Sequence, residues 1–153
     1  MNANEQVIQD FYTAFQNKDG AAMTACYHPQ VTFSDPVFVG LQGEQAGAMW
    51  RMLTERGKDL EISFNDVWAD EFSGKAHWEA NYTFSRTGRK VHNIIDAGFR
   101  FQDGKIIEHV DNFSFWRWSR QALGMPGLLL GWTPFFQRTV QKQSRAMLDK
   151  YME

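Results

Sequence analysis

Only one cysteine, Cys26, occurs in the 153 residues, so an intrachain disulfide is excluded, and with it a zinc site of the cysteine-rich kind. No apolar run approaches the roughly 20 residues that cross a bilayer. The opening MNANEQ also lacks the basic and then apolar regions of a signal peptide, so the expected location is cytoplasmic. Charge of one sign is missing as well: the net charge is −2 and the basic residues are dispersed through most of the chain, which leaves no electrostatic footprint for nucleic acid. There is no phosphate loop, dinucleotide fingerprint or nucleophile elbow, so no cofactor is expected and any chemistry falls to side-chain acids and bases. His-x-x-x-His spacing is absent too, and no metal is expected. What is present in quantity is aromatic: 13 Phe, 6 Trp and 4 Tyr make up 15% of the chain. Large flat side chains line cavities as well as fill cores.

The stretch from Val91 to Trp118, VHNIIDAGFRFQDGKIIEHVDNFSFWRW, organises the rest. Two alternating runs flank Asp103-Gly104, a pair that tolerates the positive φ angles of a tight turn, and this predicts a long antiparallel hairpin. Alternation places Val91, Asn93, Ile95, Ala97, Phe99 and Phe101 on one face of the first strand. In the second strand it puts Ile107, His109, Asp111, Phe113 and Phe115 together, which sets an imidazole and a carboxylate among apolar neighbours.

Upstream, Val7, Ile8, Phe11, Tyr12 and Phe15 recur at three- and four-residue spacing and predict an amphipathic helix over 4–17. Asp19 caps a second, short helix with Met23, Cys26 and Tyr27 inside, which Pro29 stops. Val31 to Asp35 reads as a strand ended by Pro36. A third helix carries Met49, Trp50 and Leu53 and stops at Gly57. Strands are predicted over 60–68, 75–85, 90–102 and 105–115. Helices first and then a continuous antiparallel meander indicate an α+β domain in which a curved sheet carries the helices on its concave face. From Ser114 to Leu123 a short helix is expected, stopped at Gly124 and Pro126. The apolar run GLLLGWTPFF follows, and a last helix starts at Thr133-Pro134 and runs to about Tyr151.

The order of elements, with YHPQVTFSDP (27–36) and FRFQDGKIIEHVDNF (99–113), resembles the nuclear transport factor 2-like superfamily, which includes ketosteroid isomerase, SnoaL-type polyketide cyclases and limonene epoxide hydrolase. The resemblance covers residues 5 to 116. It implies a cone-shaped α+β barrel around a cavity, commonly dimeric through the sheet, with 117–153 as a C-terminal lid or interface on a single domain spanning 1–153. Asp35 matches the general-base aspartate of ketosteroid isomerase. That enzyme's oxyanion-hole tyrosine falls on Phe11, with Tyr12 about 100° further round the helix. Its second oxyanion donor falls on Ala97, and Asp96 one residue away faces the opposite side. Steroid isomerisation by that route is therefore not expected. SnoaL-type cyclases bring an acidic residue into the cavity from a late strand, where His109 and Asp111 stand here. The Asp-Arg-Asp arrangement of limonene epoxide hydrolase finds no matching arginine.

The leading expectation is thus a homodimeric protein holding a small apolar molecule in an aromatic cavity, with Asp111, His109 and Asp35 as acid/base groups. Asn93, Trp78, Tyr82, Trp50 and Tyr12 are the expected ligand contacts. The alternative is a binding or interaction module in which the same groups only orient a ligand or stabilise the cone. Asp35 before Pro36 also fits a plain Asx turn. For GLLLGWTPFF a lid or dimer contact is preferred over an interfacial membrane contact.

Overall fold

In the computed structural model, which describes residues 1–153, helix α1 (Ala3–Gln16) starts where the Asn2 side chain accepts the Glu5 backbone N–H at 2.8 Å. Its inner stripe is Ile8, Phe11, Tyr12, Ala14 and Phe15. Helix α2 (Gly20–Ala25) is capped by Asp19, whose carboxylate accepts from Ala22 N–H at 3.0 Å. Strand β1 (Tyr27–Ser34) follows after a single residue, earlier than the sequence predicts. Pro29 therefore lies inside the strand instead of ending the helix. It sits where the pairing of β1 slips between Tyr27 and Thr32, so its missing N–H removes no ladder bond.

A short β2 (Leu41–Gln42) and helix α3 (Glu44–Arg56) lead into the long strands β3 (Glu61–Ala69), β4 (Ser73–Phe84), β5 (Arg89–Gln102) and β6 (Lys105–Asn112). They form one curved, unclosed six-stranded sheet in the order β2-β1-β6-β5-β4-β3. The fold is α+β, as expected. Four of its pairings are antiparallel, but β1 and β6 run parallel. The excursion through α3 and the meander supplies the long crossover that a parallel pair requires.

The central hairpin turns at Asp103 and Gly104, both at positive φ (55° and 74°). One detail departs from the simple alternation. Arg100 pairs with Glu108 and Phe101 with Ile106, which leaves Ile107 as the extra residue of a bulge. Ile106, not Ile107, is therefore fully buried, and the inward phase resumes at His109 and Asp111. Phe115 leaves the strand altogether and begins α4 (Phe115–Leu123), capped by Ser114.

Helices α1 and α3 pack their aromatic stripes on the inner face of the sheet: Phe11 meets Trp50 edge-on at 5.7 Å between ring centroids, and Phe15 meets Trp78 at 5.4 Å. Helix α4 lies over β5, and α5 (Met125–Leu130) folds back onto α4. That fold-back rests on the absence of side chains: a Cβ on Gly127 would lie 2.1 Å from the Ser119 carbonyl oxygen. Helix α6 (Pro134–Tyr151) is capped by Thr133 and runs beside α3. It is tied to the loop after β1 by Gln137 and Gln141, whose amides donate to the Pro36 carbonyl at 3.0 and 3.1 Å.

Two glycine substitutions should separate these cases. Gly127→Ala should cost roughly 1–3 kcal/mol in urea denaturation, because the helices cannot keep their separation. Gly98→Ala, whose Cβ meets nothing within 4 Å, should change stability by less than about 0.5 kcal/mol.

Candidate active site

A buried polar line crosses the inner face of the sheet. Trp50 of α3 donates its indole N–H to Tyr27 Oη at 2.7 Å. Tyr27 Oη stands 2.8 Å from His109 Nδ1, and His109 Nε2 stands 2.8 Å from Asp111 Oδ1. An indole nitrogen can only donate, so the Tyr27 oxygen accepts there; the Asp111 carboxylate can only accept, so it takes the ring proton of neutral His109, which leaves Nδ1 to accept the Tyr27 proton. The remaining ring proton of His109 then sits on Nε2 and is donated to Asp111. In this arrangement every member spends its hydrogen.

His109 is fully buried and Asp111 is 2% exposed. Aromatic rings wall the imidazole: Phe99 at 4.4 Å, Phe33 at 5.0 Å and Phe11 at 5.5 Å between centroids. Burying such a pair is unfavourable unless hydrogen bonds satisfy it, and the line supplies them. Trp78 Nε1 donates as well to Asp111 Oδ1, at a longer 3.3 Å. Both donors thus use one carboxylate oxygen, and Oδ2 receives no bond from the chain.

Tyr12 and Asp35 complete the group. Phe11 and Tyr12 both face inward although they are about 100° apart, since the buried stripe of α1 is wide enough to hold both. The Tyr12 hydroxyl is buried and has no hydrogen-bond partner. Burial first, then the negative charge of Asp111 and the neighbouring Tyr27, hold its pKa well above the usual tyrosine value, so it stays a donor. Asp35, at the end of β1, accepts the Val37 and Phe38 backbone N–H groups on Oδ1 at 2.7 and 2.6 Å, the Asx turn that its sequence context suggested. Burial lifts its pKa, the Phe38 N–H opposes, the charge of Asp111 adds to the rise and the Val37 N–H opposes, leaving it at about 7. Asp35 still keeps part of its surface open to solvent.

The other expected contacts fall on the same inner face. Asn93 and Trp78 are buried on β5 and β4. Tyr82 accepts from Trp118 Nε1 at 2.9 Å, and burial, with the charge of Asp35 adding and the Trp118 bond opposing, moves its pKa to about 12. Tyr27 was missed as a site residue. Its signal was a phenol two residues before a proline, which reads equally well as the end of α2. Asp96 lies outside, bonded to His77 Nδ1 at 2.9 Å. No three His, Cys, Asp or Glu side chains converge as a metal ion needs. Two surface hollows lie away from Asp111, one of about 260 Å³ between Val37–Val39 and α6, the other of about 420 Å³ between α2 and the end of α3.

Two outcomes follow. Asp35 loses its proton near pH 3.8 in the unfolded chain and near 7 in the fold, so the unfolded state ionises first and stability falls as pH rises through that window. Asp35→Asn keeps the Asx acceptor and should remove this slope, raising stability at pH 8 by roughly 1–2 kcal/mol after allowance for partial exposure, with little change at pH 4. Tyr27→Phe leaves two buried groups unpaired and should cost roughly 2–4 kcal/mol in chemical denaturation.

The fold has well-matched relatives among solved structures. An epoxide hydrolase of the limonene epoxide hydrolase-like kind from Mycobacterium tuberculosis superposes with a TM-score of 0.67 at 18% identity, over 84% of this chain and 96% of that one. TsrD from Streptomyces laurentii gives 0.68 at 19% identity over 80% and 96%. A candidate polyketide cyclase from Xanthomonas campestris pv. campestris gives 0.65 at 18% identity over 78% and 96%. No curated protein matches the chain in sequence. No helix is long and apolar enough to cross a membrane. The SnoaL-like domain family matches residues 8–109, which span α1 through His109 of β6, and the chain belongs to that family within the nuclear transport factor 2-like fold.

Proposed function

We propose that the protein binds a small apolar molecule carrying a carbonyl or similar oxygen against Tyr12, Asp111 and Asp35. In this reading Asp111 moves a proton next to that oxygen, with Tyr12 and protonated Asp35 as hydrogen-bond donors to it and no cofactor. The observation that carries it is the Tyr12 hydroxyl. A buried donor with no acceptor costs about 1–3 kcal/mol, a cost that a ligand oxygen would remove. Its neighbour Asp111 has one oxygen saturated by N–H donors and the other unbonded.

The chemistry then runs as follows. Asp111 accepts a proton from the carbon beside the carbonyl; the C–H pair moves into the new C–C double bond, and charge develops on the oxygen. Tyr12 donates a hydrogen bond to that oxygen, and protonated Asp35, which keeps part of its surface open to solvent, does the same. Return of the proton to a different carbon gives isomerisation, and attack of the enolate on a second carbonyl gives aldol-type cyclisation. His109 is a positioning residue, because it is fully enclosed and reaches a ligand only through Asp111. Trp78, Trp50, Tyr82 and Asn93 shape the apolar walls. The neighbours' names, an epoxide hydrolase and a candidate polyketide cyclase, belong to those proteins and support the fold alone at their identities. The proposal also includes a cytoplasmic homodimer packed through the outer sheet face, where Trp68 and Ile94 are the exposed apolar members.

A second reading, binding without turnover, is favoured by the complete enclosure of His109, which suits a purely structural pair as well. Deuterium exchange into a panel of cyclic and aromatic ketones separates the two. Asp111→Asn should retain ligand binding and lower the exchange rate by about 10²–10⁴-fold, and a pH–rate profile should show a limb near 7 that Asp35→Asn removes. Exchange that survives Asp111→Asn unchanged, with no titrating limb, would leave the binding module as the correct reading.

A further inference from the structure

Helix α5 buries only Gly127. Its leucines therefore form no part of the core, and the sequence expectation of a simple cover divides in two. Val140 and the partly buried Phe136 on α6 turn inward, whereas Met125, Leu129, Trp132 and Phe135 are 64%, 61%, 72% and 74% exposed. Leu128 and Leu130 are exposed beside them. The tight seat of Gly127 and Gly131 on Ser119 fixes this knuckle, so it is a built projection and not a frayed end. A contiguous exposed apolar surface of this kind marks an interaction site.

Charge identifies the partner. Between Asn112 and Leu148 there are five basic residues, Arg117, Arg120, Arg138, Lys142 and Arg145, and no acidic one, in a chain whose net charge is −2. Three of them continue from the knuckle along α6: Phe135, Arg138, Lys142 and Arg145 fall within about 80° of one another on the helix. Arg145 is paired with Asp149 at 3.4 Å, while the ion pairs of the chain leave Arg138 and Lys142 unpaired. Together with Gln141 and Val37–Val39 these cations line the hollow of about 260 Å³.

We propose that the α5 knuckle and the basic stripe of α6 form a docking surface for an anionic lipid bilayer, with Leu129, Trp132 and Phe135 entering the interfacial region and Arg138 and Lys142 meeting headgroup phosphates. Apolar burial and cation attraction act from the same side, and tryptophan favours that depth. A second copy of the chain is the competing occupant. Two-fold pairing through this face sets one basic stripe against its own copy, so charge favours the lipid surface.

The test is cosedimentation of the full chain with vesicles of phosphatidylcholine alone or with about 30% phosphatidylserine, at low and high salt. The wild-type chain should pellet with the anionic vesicles, and less so in high salt. Leu129→Glu with Trp132→Glu should abolish pelleting. Arg138→Gln with Lys142→Gln, on a different element, should weaken it on the order of 25-fold, about fivefold for each cation removed. Absence of pelleting overturns the proposal, as does equal binding to both vesicle types. So does a wild-type dimer in analytical ultracentrifugation that the Leu129→Glu and Trp132→Glu pair dissociates, since the knuckle would then belong to a second copy.

Discussion

The hydrogen bond from Trp50 to Tyr27 decides more of this molecule than any other single contact. A tryptophan N–H has one proton and no lone pair to offer, so whatever it meets must accept. Tyr27 accepts at 2.7 Å, and with the Asp111 carboxylate taking the Nε2 proton of His109, the Tyr27 proton is left to Nδ1, so the line has a donor at one end and an acceptor at the other. The line is closed from both sides, by an obligatory donor on the helix and an obligatory acceptor on the late strand. The contributing elements are far apart in sequence, α3, the first residue of β1 and the centre of β6, and the sheet brings them together through the parallel β1–β6 pairing.

Around this line the core is built from rings instead of aliphatic chains. Phe11 and Phe33 approach the imidazole edge to face, Phe99 tilted and Trp50 stacked, an arrangement that supports a polar ring without hydrating it. Low local polarity strengthens the few hydrogen bonds present and penalises any left unmade. The Tyr12 hydroxyl and the elevated pKa of Asp35 are two consequences of the same environment: one is an unspent donor, the other a carboxyl group that ionises near neutrality. Helices α4 and α6 close over the end of the sheet through Trp118 and Phe136, and the segment between them sends its apolar surface outward.

Much of the fold was legible because it depends on local rules. The spacing of Val7, Phe11 and Phe15 gave α1, Asp103-Gly104 gave the hairpin, and Thr133-Pro134 gave the start of α6. Where the reading failed, a non-local effect intervened. Pro29 was taken as a helix stop because a slipped register that tolerates proline inside a strand depends on the partner strand. Ile107 was placed inside because a bulge is a property of two strands, not one. For the candidate site, alternation was enough to bring His109 and Asp111 to one face. It could not reveal Tyr27, whose role depends on a hydrogen-bond partner 82 residues away. The helical spacing, by contrast, was enough to put Phe11 and Tyr12 on one buried stripe of α1. The apolar run after Gly124 was legible as unusual; only the close packing of Gly127 on α4 shows which of its side chains turn away.

The most direct test of the directed line is a long-range ¹H–¹⁵N correlation spectrum of the His109 ring. The account predicts a single, slowly exchanging tautomer with the proton on Nε2 and Nδ1 as a hydrogen-bonded acceptor, and it predicts that Nδ1 changes environment when Tyr27 is replaced by Phe while the Nε2 proton remains. A proton found on Nδ1, or an averaged signal from a ring that exchanges freely, would contradict it, because Tyr27 would then not be the donor to a ring whose proton is held by Asp111.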